Sequence, residues 1–188
     1  MMDLLPDYKE VSHVTGDNSS VVIDERSKPV NRPSGPAPAK KRILLADDDG
    51  GVRLMLGRVL KSENYEVIYA TSGREAAAKF VAAVPHLVLL DLNMPGKDGW
   101  EAFGIMCEKH PLVPVIVITA RPHQLDHAME LGVDALVEKP LNLPLLLEAI
   151  KKLLAETETE CAHRLTNPRF KTTLLNPGGP GGFHGERS

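Results

Sequence analysis

Three short apolar runs, each ending in a polar side chain, constrain the fold of this chain most strongly. The runs and the residues that follow them are Ile43–Ala46 before Asp47, Leu87–Leu90 before Asp91, and Val115–Ile118 before Thr119. Continuous apolar runs of this length are typical of parallel strands that are buried on both faces. In such sheets, ligands bind beyond the carboxyl ends of the strands. The sequence therefore predicts that the polar residues at these strand ends surround one crevice.

Strand and helix patterns alternate through the middle of the chain. The strand candidates are residues 42–47, 65–70, 86–91, 114–119 and 135–139. The first helix carries an apolar face of Val52, Leu54, Met55, Val59 and Leu60, and the second begins after an N-cap at Ser72, with Glu75 three residues later. The third, fourth and fifth helices are predicted at 99–109, 122–131 (ending at Gly132) and 142–155, with Leu143, Leu146, Leu147, Ile150 and Leu154 as the buried stripe of the fifth. This alternation predicts an α/β fold with a doubly wound parallel sheet.

Both ends of the chain have the composition of tails. Residues 1–40 are rich in proline, and residues 156–188 close on a stretch dense in glycine and proline. Such segments bury too little apolar surface to offset the conformational entropy lost on ordering, so we predict disordered N- and C-terminal tails. Cys161 is then a free thiol in a polar tail, whereas Cys107 is a small buried apolar residue on the third helix. Two scattered cysteines indicate neither a disulfide framework nor a zinc site.

Charge and targeting signals narrow the possible partners. The 188 residues have a formal net charge of -3 and a pI near 6.2, which gives no electrostatic case for nucleic acid or an anionic membrane. The sequence shows no targeting segment and no apolar run close to the roughly 20 residues that cross a bilayer. Residues after 155 show no helix-turn-helix pattern, so no DNA-binding domain is expected. We predict a cytoplasmic protein.

The strand-end carboxylates suggest a metal site that assists phosphoryl chemistry. A magnesium ion uses one or two carboxylates together with waters and phosphate oxygens, and Asp47, Asp48 and Asp91 fit an open site of this kind. Taken alone, the triplet that ends at Asp49 is equally compatible with a solvated turn that caps the first helix. The carboxylate of Asp91 at a second strand end favours the cation. Asp91 could act as a nucleophile on phosphorus, and the backbone carbonyl of Asn93 could complete the metal shell.

Two further strand ends offer partners for a phosphoryl group. Lys139 follows the fifth strand and could pair with a phosphoryl oxygen as a compact positive charge. Thr119 could donate a hydrogen bond to another oxygen of the group. Out of this context, both residues have ordinary interpretations, as a surface lysine before proline and as a β-branched strand residue. A cis peptide at Pro140 would direct Lys139 toward the crevice, and Met94-Pro95-Gly96 is a turn signal that stiffens the loop after Asp91.

Together, four motifs in order resemble the receiver domain of two-component response regulators. They are Ile43-Leu44-Leu45-Ala46-Asp47-Asp48-Asp49, Leu90-Asp91-Leu92-Asn93-Met94-Pro95-Gly96-Lys97-Asp98-Gly99, Val117-Ile118-Thr119-Ala120 and Val137-Glu138-Lys139-Pro140. The resemblance covers about residues 41–155 and implies a flavodoxin-like five-stranded sheet in the order 2-1-3-4-5. It implies Asp91 as the phosphoacceptor and Asp47 and Asp48 as the acidic pair that holds Mg²⁺. It also implies that Asn93 gives its backbone carbonyl to the metal and that Thr119 and Lys139 sense the phosphoryl group.

The resemblance also implies partners and a mode of output. Such a domain takes phosphate from a sensor histidine kinase or phosphotransfer protein and then signals by protein contact through the face of the fourth helix, fifth strand and fifth helix. We expect a single-domain regulator whose only catalysis is Mg²⁺-dependent self-phosphorylation and autodephosphorylation.

Two features depart from the family pattern. Leu136 stands where receivers often carry an aromatic ring, and Gly50-Gly51 begins the first helix. These features keep open the alternative of a phosphorylation-independent binding module on a receiver scaffold. A regulator whose tail folds on DNA is a third, less favoured possibility.

Overall fold

Parallel strands alternate with helices in the computed structural model, which describes residues 39–94, 99–121, 123–167 and 172–175. The strands are β1 Arg42–Ala46, β2 Glu66–Ala70, β3 Leu87–Asp91, β4 Val115–Thr119, β5 Ala135–Glu138 and β6 Thr173–Leu175. The helices are α1 Gly50–Ser62, α2 Gly73–Ala83, α3 Gly99–Lys109, α4 Leu125–Leu131, α5 Leu143–Ala155 and α6 Glu158–Thr166. All neighbouring strands are parallel, in the order β2-β1-β3-β4-β5-β6. The predicted α/β fold and the order of its first five strands are confirmed.

Helices cover both faces of the sheet. One core lies against α2, α3 and α4 and includes Phe80, Met106 and Ala128. The other lies against α1 and α5 and includes Leu60 and Ile150. Strands β3 and β4 are buried along their whole length, which explains their unbroken apolar sequence.

Most helix starts follow the local signals in the sequence. Ser72 caps α2 by accepting from the backbone N–H of Glu75 at 3.3 Å, and Asn142 caps α5 by accepting from Leu145 at 3.2 Å. Helix α4 is shorter than predicted and begins at Leu125, after Gln124, whose side chain makes no cap hydrogen bond. Its end at Gly132 is confirmed, with φ of 75° in the left-handed region. Pro122 and the turn residues 95–98 lie outside the described residues.

The buried face of α1 differs from the prediction. Leu56, Gly57 and Leu60 are buried, whereas Leu54 is 56% and Met55 39% exposed. The helix approaches β2 closely at Gly57, where an added Cβ would lie 2.2 Å from the hydroxyl of Tyr69. This contact orients the helix so that Leu54 and Met55 lie at the surface.

The prediction of a structureless C-terminal tail is wrong for α6 and β6. Helix α6 begins with a capping box, in which Thr157 accepts from the N–H of Glu160 and the Glu160 carboxylate accepts from the N–H of Thr157. Strand β6 adds to the edge of β5, so the sheet has a sixth strand within the described residues. Cys161 is a free thiol, but it lies on α6 with 6% exposure rather than in a polar tail. Residues 1–38 and 176–188, predicted as tails, lie outside the described residues.

Candidate functional site

The carboxyl ends of four strands bring the predicted polar residues together. In the sheet, Ala46 pairs with Leu90, Asp91 with Ile118, and Thr119 with Glu138. Asp47, Asp91, Thr119 and Lys139 therefore lie at one edge of the sheet, as the sequence predicted. Asp47 is 1%, Asp91 2% and Thr119 0% exposed, whereas Asp48 is exposed.

Three carboxylates converge at this edge. One carboxylate oxygen from each of Asp47, Asp48 and Asp91 lies within 4.8 Å of the others. Hard cations such as Mg²⁺ prefer oxygen ligands of this kind. The donor set fits a divalent cation, with the exposed Asp48 on the solvent side of two buried carboxylates.

A single ammonium group links the two buried carboxylates. Lys139 Nζ donates to Asp91 Oδ2 at 2.7 Å and to Asp47 Oδ2 at 3.1 Å. Two buried negative charges thus share one positive charge, and Asp48 adds a third carboxylate at the rim. The cluster keeps an excess of negative charge that a divalent cation would neutralise.

Burial and charge act on the pKa values of this cluster in opposite directions. Burial raises the pKa of Asp47, and the N–H of Asp49 and the ammonium of Lys139 only partly oppose it. Burial lowers the pKa of Lys139, but the carboxylates of Asp91 and Asp47 outweigh it and the net pKa lies above the ordinary value. The lysine therefore stays charged, whereas the charged form of Asp47 is destabilised because burial removes water from its carboxylate.

Backbone groups hold the remaining carboxylate oxygens. Asp47 Oδ1 accepts from the N–H of Asp49 at 2.8 Å, and Asp91 Oδ1 accepts from the N–H of Asn93 at 2.9 Å. Arg53 Nη1 donates to the carbonyl of Asp47 at 2.6 Å, which ties α1 to the site. Sequence reasoning missed Arg53; its place one helical turn after Asp49 was the available signal. That the carbonyl of Asn93 binds metal stays a prediction.

Asp49 has a different role from its two neighbours. Its Oδ1 accepts from the N–H groups of Gly51 at 2.7 Å and Val52 at 3.2 Å. These bonds cap α1 and lower the pKa of Asp49. Asp49 thus caps the helix, as one interpretation of the acidic triplet expected, while Asp47 and Asp48 lie close to Asp91. That these three carboxylates bind a cation stays a prediction.

Thr119 and Lys139 are connected through the backbone. The N–H of Lys139 donates to the carbonyl of Thr119 at 2.8 Å. The hydroxyl oxygen of Thr119 accepts from the N–H of Arg121 at 2.9 Å. The Lys139–Pro140 peptide bond is cis, as the sequence suggested. Leu136, two residues along β5 from Glu138, is fully buried.

Gly99 is a second residue whose role the sequence did not reveal. A Cβ added at this position would lie 2.8 Å from both the carbonyl oxygen of Asp91 and the Cα of Leu92. Only glycine therefore allows the start of α3 to contact the backbone that carries Asp91. Sequence reasoning placed Gly99 at the start of this helix but gave no reason for glycine.

An aromatic cluster lies next to this contact, on α3 and α4. Trp100 Nε1 donates to Gln124 Oε1 at 3.2 Å, and the Trp100 and His127 rings meet edge to face at 4.8 Å. Trp100 is the only tryptophan in the chain. It offers an intrinsic probe of the segment between β4 and α4.

The family model described as "Response regulator receiver domain" matches residues 43–151, which is more than half of the chain. The chain belongs to this family. Every predicted site residue lies within the matched range, namely Asp47, Asp48, Asp91, Asn93, Thr119 and Lys139.

Similar proteins agree with this assignment. A probable transcriptional regulator of Cyanophora paradoxa is 37% identical over 141 residues, covering 73% of this chain and 54% of that protein. A CheY-like receiver domain protein of Methanospirillum hungatei has a crystal structure with 33% identity and a TM-score of 0.61, covering 65% of this chain and 99% of that one. The response regulator TrrA of Thermotoga maritima, solved in complex with Mg²⁺-BeF, is 37% identical with a TM-score of 0.57, covering 60% of this chain and 98% of that one.

The chain spans about half the length of the curated relatives it matches. Across the described residues, no helix combines the length and the apolar character needed to cross a membrane.

Proposed function

We propose that this receiver domain accepts a phosphoryl group on Asp91 from a sensor histidine kinase or phosphotransfer protein and signals by protein contact. The observation that carries the proposal is the ammonium of Lys139, which lies 2.7 Å from the buried Asp91 carboxylate inside a cluster of three carboxylates. Three carboxylates surround one ammonium, and one of them is exposed at the rim, so the cluster keeps an excess of negative charge. A site that binds a divalent cation, and through it a phosphoryl group, explains this excess.

The transfer is a displacement at phosphorus. An Asp91 carboxylate oxygen attacks, the P–N bond of a phosphohistidine breaks, and the electron pair stays on the imidazole nitrogen, which takes up a proton. Asn93 fixes the Asp91 carboxylate through its N–H, and Gly99 allows the backbone of Asp91 to pack under α3. Lys139 supplies positive charge for the phosphoryl oxygens, and Thr119 supplies a hydroxyl donor.

Magnesium is the cofactor that we propose for this site. Asp47, Asp48 and Asp91 would hold it, together with the backbone carbonyl of Asn93. When bound, Mg²⁺ neutralises charge on the carboxylates and on the incoming phosphoryl oxygens. The complex of the 37% identical TrrA with Mg²⁺-BeF supports this assignment.

The output that we propose is contact with a downstream protein through α4, β5 and α5, in the cytoplasm and without DNA binding by this segment. Self-phosphorylation from small phosphodonors and autodephosphorylation would be the only catalysis. The presence of Lys139 directly after β5 supports the choice of face, because a change at the site reaches that strand first.

Intact-mass measurement tests the phosphoacceptor. Incubation with Mg²⁺ and acetyl phosphate should add one phosphoryl group to the wild type, and Asp91→Asn should abolish the addition. Asp126→Asn, which changes an exposed aspartate on α4, is the matched control and should be phosphorylated normally. Phosphorylation of Asp91→Asn, or none of the wild type, would contradict the proposal.

A phosphorylation-independent binding module is the second candidate, and the complete burial of Leu136 favours it. A leucine held in the core cannot act as a side chain that moves between buried and exposed positions. Equal capture of a partner by wild type and Asp91→Ala would support this candidate. Dependence of capture on acetyl phosphate would exclude it.

A further inference from the structure

The chain itself covers the β5 edge of the sheet. In the receiver order implied by the resemblance, β5 is the last strand and its backbone is open to a partner. Here β6 pairs with β5 in the register Ala135 with Thr173, Leu136 with Leu174, and Val137 with Leu175. Leu175 is buried and Leu174 packs against the core that contains Leu136. We call α6 and β6 together the C-terminal cap.

A partly buried ionic cluster anchors the cap to the amino-terminal end of the strands. Arg164 on α6 pairs with Asp134, and its Nε donates to Glu156 Oε2 at 2.9 Å. Asp134 Oδ2 accepts from the N–H of Val115 at 2.7 Å, and its carbonyl accepts from the N–H of Thr173 at 3.2 Å. Asp134 therefore joins β4, α6 and β6 in one network.

A thiol reports on the position of α6. Cys161 Sγ donates to the carbonyl of Leu112 at 3.3 Å, in the loop before β4. The residue is buried in the closed cap, so a thiol reagent reaches it only when α6 moves away. Cys107 on α3 lies outside the cap and serves as an internal reference.

The β6 half of the cap is short and contains an unfavourable group. It has three residues, and the hydroxyl oxygen of the neighbouring Thr172 is buried with no hydrogen-bond partner among the described residues. A buried hydroxyl without a partner destabilises the state that buries it. This strand is therefore easier to displace than the inner strands of the sheet.

The strand beneath the cap leads directly into the phosphorylation site. The last β5–β6 pair is Val137 with Leu175, and Lys139 follows two residues later. Lys139 contacts Asp91 through its side chain and Thr119 through its backbone N–H. A phosphoryl group on Asp91 gives the ammonium of Lys139 a new partner. A shift of Lys139 toward that partner would displace the end of β5, the strand that pairs with β6.

We propose that the C-terminal cap is an autoinhibitory element, which occupies the β5 edge in the unphosphorylated protein and detaches when Asp91 is phosphorylated. Detachment exposes a row of backbone N–H and C=O groups to which a strand of a partner protein can be added. This inference rests on the proposed function, because it specifies which edge of the sheet binds the partner and how phosphorylation of Asp91 controls access to that edge.

The rate of Cys161 alkylation by iodoacetamide in the full chain tests the cap. Mass spectrometry of peptides separates Cys161 from Cys107. Phosphorylation with Mg²⁺ and acetyl phosphate should accelerate Cys161 alkylation at least tenfold and leave Cys107 within about twofold. Hydrogen exchange of the peptide that contains residues 172–175 should accelerate in parallel.

Substitutions test the cap without phosphorylation. Thr173→Pro removes the N–H that donates to Asp134 and should accelerate Cys161 alkylation, whereas Thr173→Ala keeps that N–H and should match the wild type. Arg164→Ala should also accelerate it, with the exposed Arg74→Ala as control. Thr172→Val removes the unpaired hydroxyl with little change in shape and should slow alkylation.

The outcomes separate the cap from the proposed function. If the mass shows phosphorylated Asp91 but Cys161 alkylation and exchange at 172–175 are unchanged, autoinhibition is wrong while the phosphoacceptor stands. If the wild type is not phosphorylated, the proposed function fails, and the substitutions still decide whether the cap covers β5. Equal acceleration at Cys161 and Cys107 in Thr173→Pro would indicate global unfolding and overturn a separately detachable cap.

Discussion

Buried carboxylates meet cations at both ends of the parallel strands, but in different proportions. At the carboxyl end, Asp47 and Asp91 share Lys139, with a third carboxylate from Asp48 at the rim. At the amino end, Arg164 pairs with Asp134 and Glu156, and the second oxygen of Asp134 accepts from the N–H of Val115. Excess negative charge beside an exposed carboxylate makes the first cluster a suitable donor set for a divalent cation. The second cluster includes Arg164 of α6, is partly shielded from solvent, and links β4, α6 and β6.

The pKa values of the buried aspartates shift in the same direction in both clusters, whereas the cations that oppose the shifts differ in kind. Burial raises the pKa of both Asp47 and Asp134, and a cation partly opposes it in each case. At Asp134 the guanidinium is positioned by two carboxylates, which suits the planar, fixed geometry of arginine. At Asp47 the compact ammonium of lysine can be shared and re-paired, which suits a site where ligands change.

The largest effect on stability is expected when the cation of either cluster is removed. Lys139→Ala and Arg164→Ala should each lower the free energy of unfolding by about 3 kcal/mol, because each leaves at least one buried carboxylate without its cation. Mg²⁺ should restore part of the loss in Lys139→Ala and none in Arg164→Ala. Urea unfolding with and without Mg²⁺ measures both effects. Equal rescue of the two variants would show that the clusters do not differ as described.

The contact at Gly99 should give the next largest effect. Gly99→Ala forces a Cβ against the backbone of Asp91 and Leu92 and should cost about 1–3 kcal/mol of stability. It should also slow phosphorylation, because the Asp91 backbone must shift. Gly104→Ala on the same helix meets nothing within 4 Å and should stabilise by about 0.5–1 kcal/mol. Denaturant unfolding and intact mass report the two effects, and a Gly99→Ala protein as stable and active as the wild type would refute the contact.

A neutral residue at Asp47 should separate stability from metal binding. Since burial raises the pKa of this carboxyl, its charged form is disfavoured in the fold. Without metal, Asp47→Asn should melt about 2–4 °C higher than the wild type, which corresponds to roughly 1 kcal/mol. Its Mg²⁺ affinity, followed by Trp100 fluorescence or calorimetry, should fall. Asp48→Asn should lose affinity with little change in melting, and a lower melting temperature for Asp47→Asn would count against a strained buried anion.

The smallest effect is expected at a carboxylate that is only partly buried and lies on α2, away from both clusters. Hydrogen bonds from Lys79 first, and then from Thr71, lower the pKa of Glu75 from 4.5 to about 2. A carboxylate with a depressed folded-state pKa stabilises fully above its unfolded pKa, and this contribution is lost as the pH falls from about 4.5 toward 2. Glu75→Gln should be slightly less stable near neutral pH and should lose less stability over that interval. Urea unfolding at several pH values from 2 to 7 would reveal parallel curves if Glu75 has no such role.

Local signals explain why much of the molecule was predictable. Apolar runs such as Val115–Ile118 and caps such as Ser72 and Asn142 depend on neighbours in sequence, so strands and helix starts follow from them. The strand-end carboxylates were predictable because parallel strands share a carboxyl edge. Arg53 and Gly99 were missed because their roles depend on atoms brought close only by packing, namely the carbonyls of Asp47 and Asp91.

The α/β order, the strand-end positions of the site residues and the cap at Asp49 were determined by the sequence itself, because each depends on periodicity or on residues within one turn. Tertiary structure decided that Lys139 is shared by two carboxylates, that Leu54 lies at the surface and that Cys161 is buried. It also decided the existence of β6. A three-residue strand has too few local interactions to offset its loss of conformational entropy, and its order comes from β5.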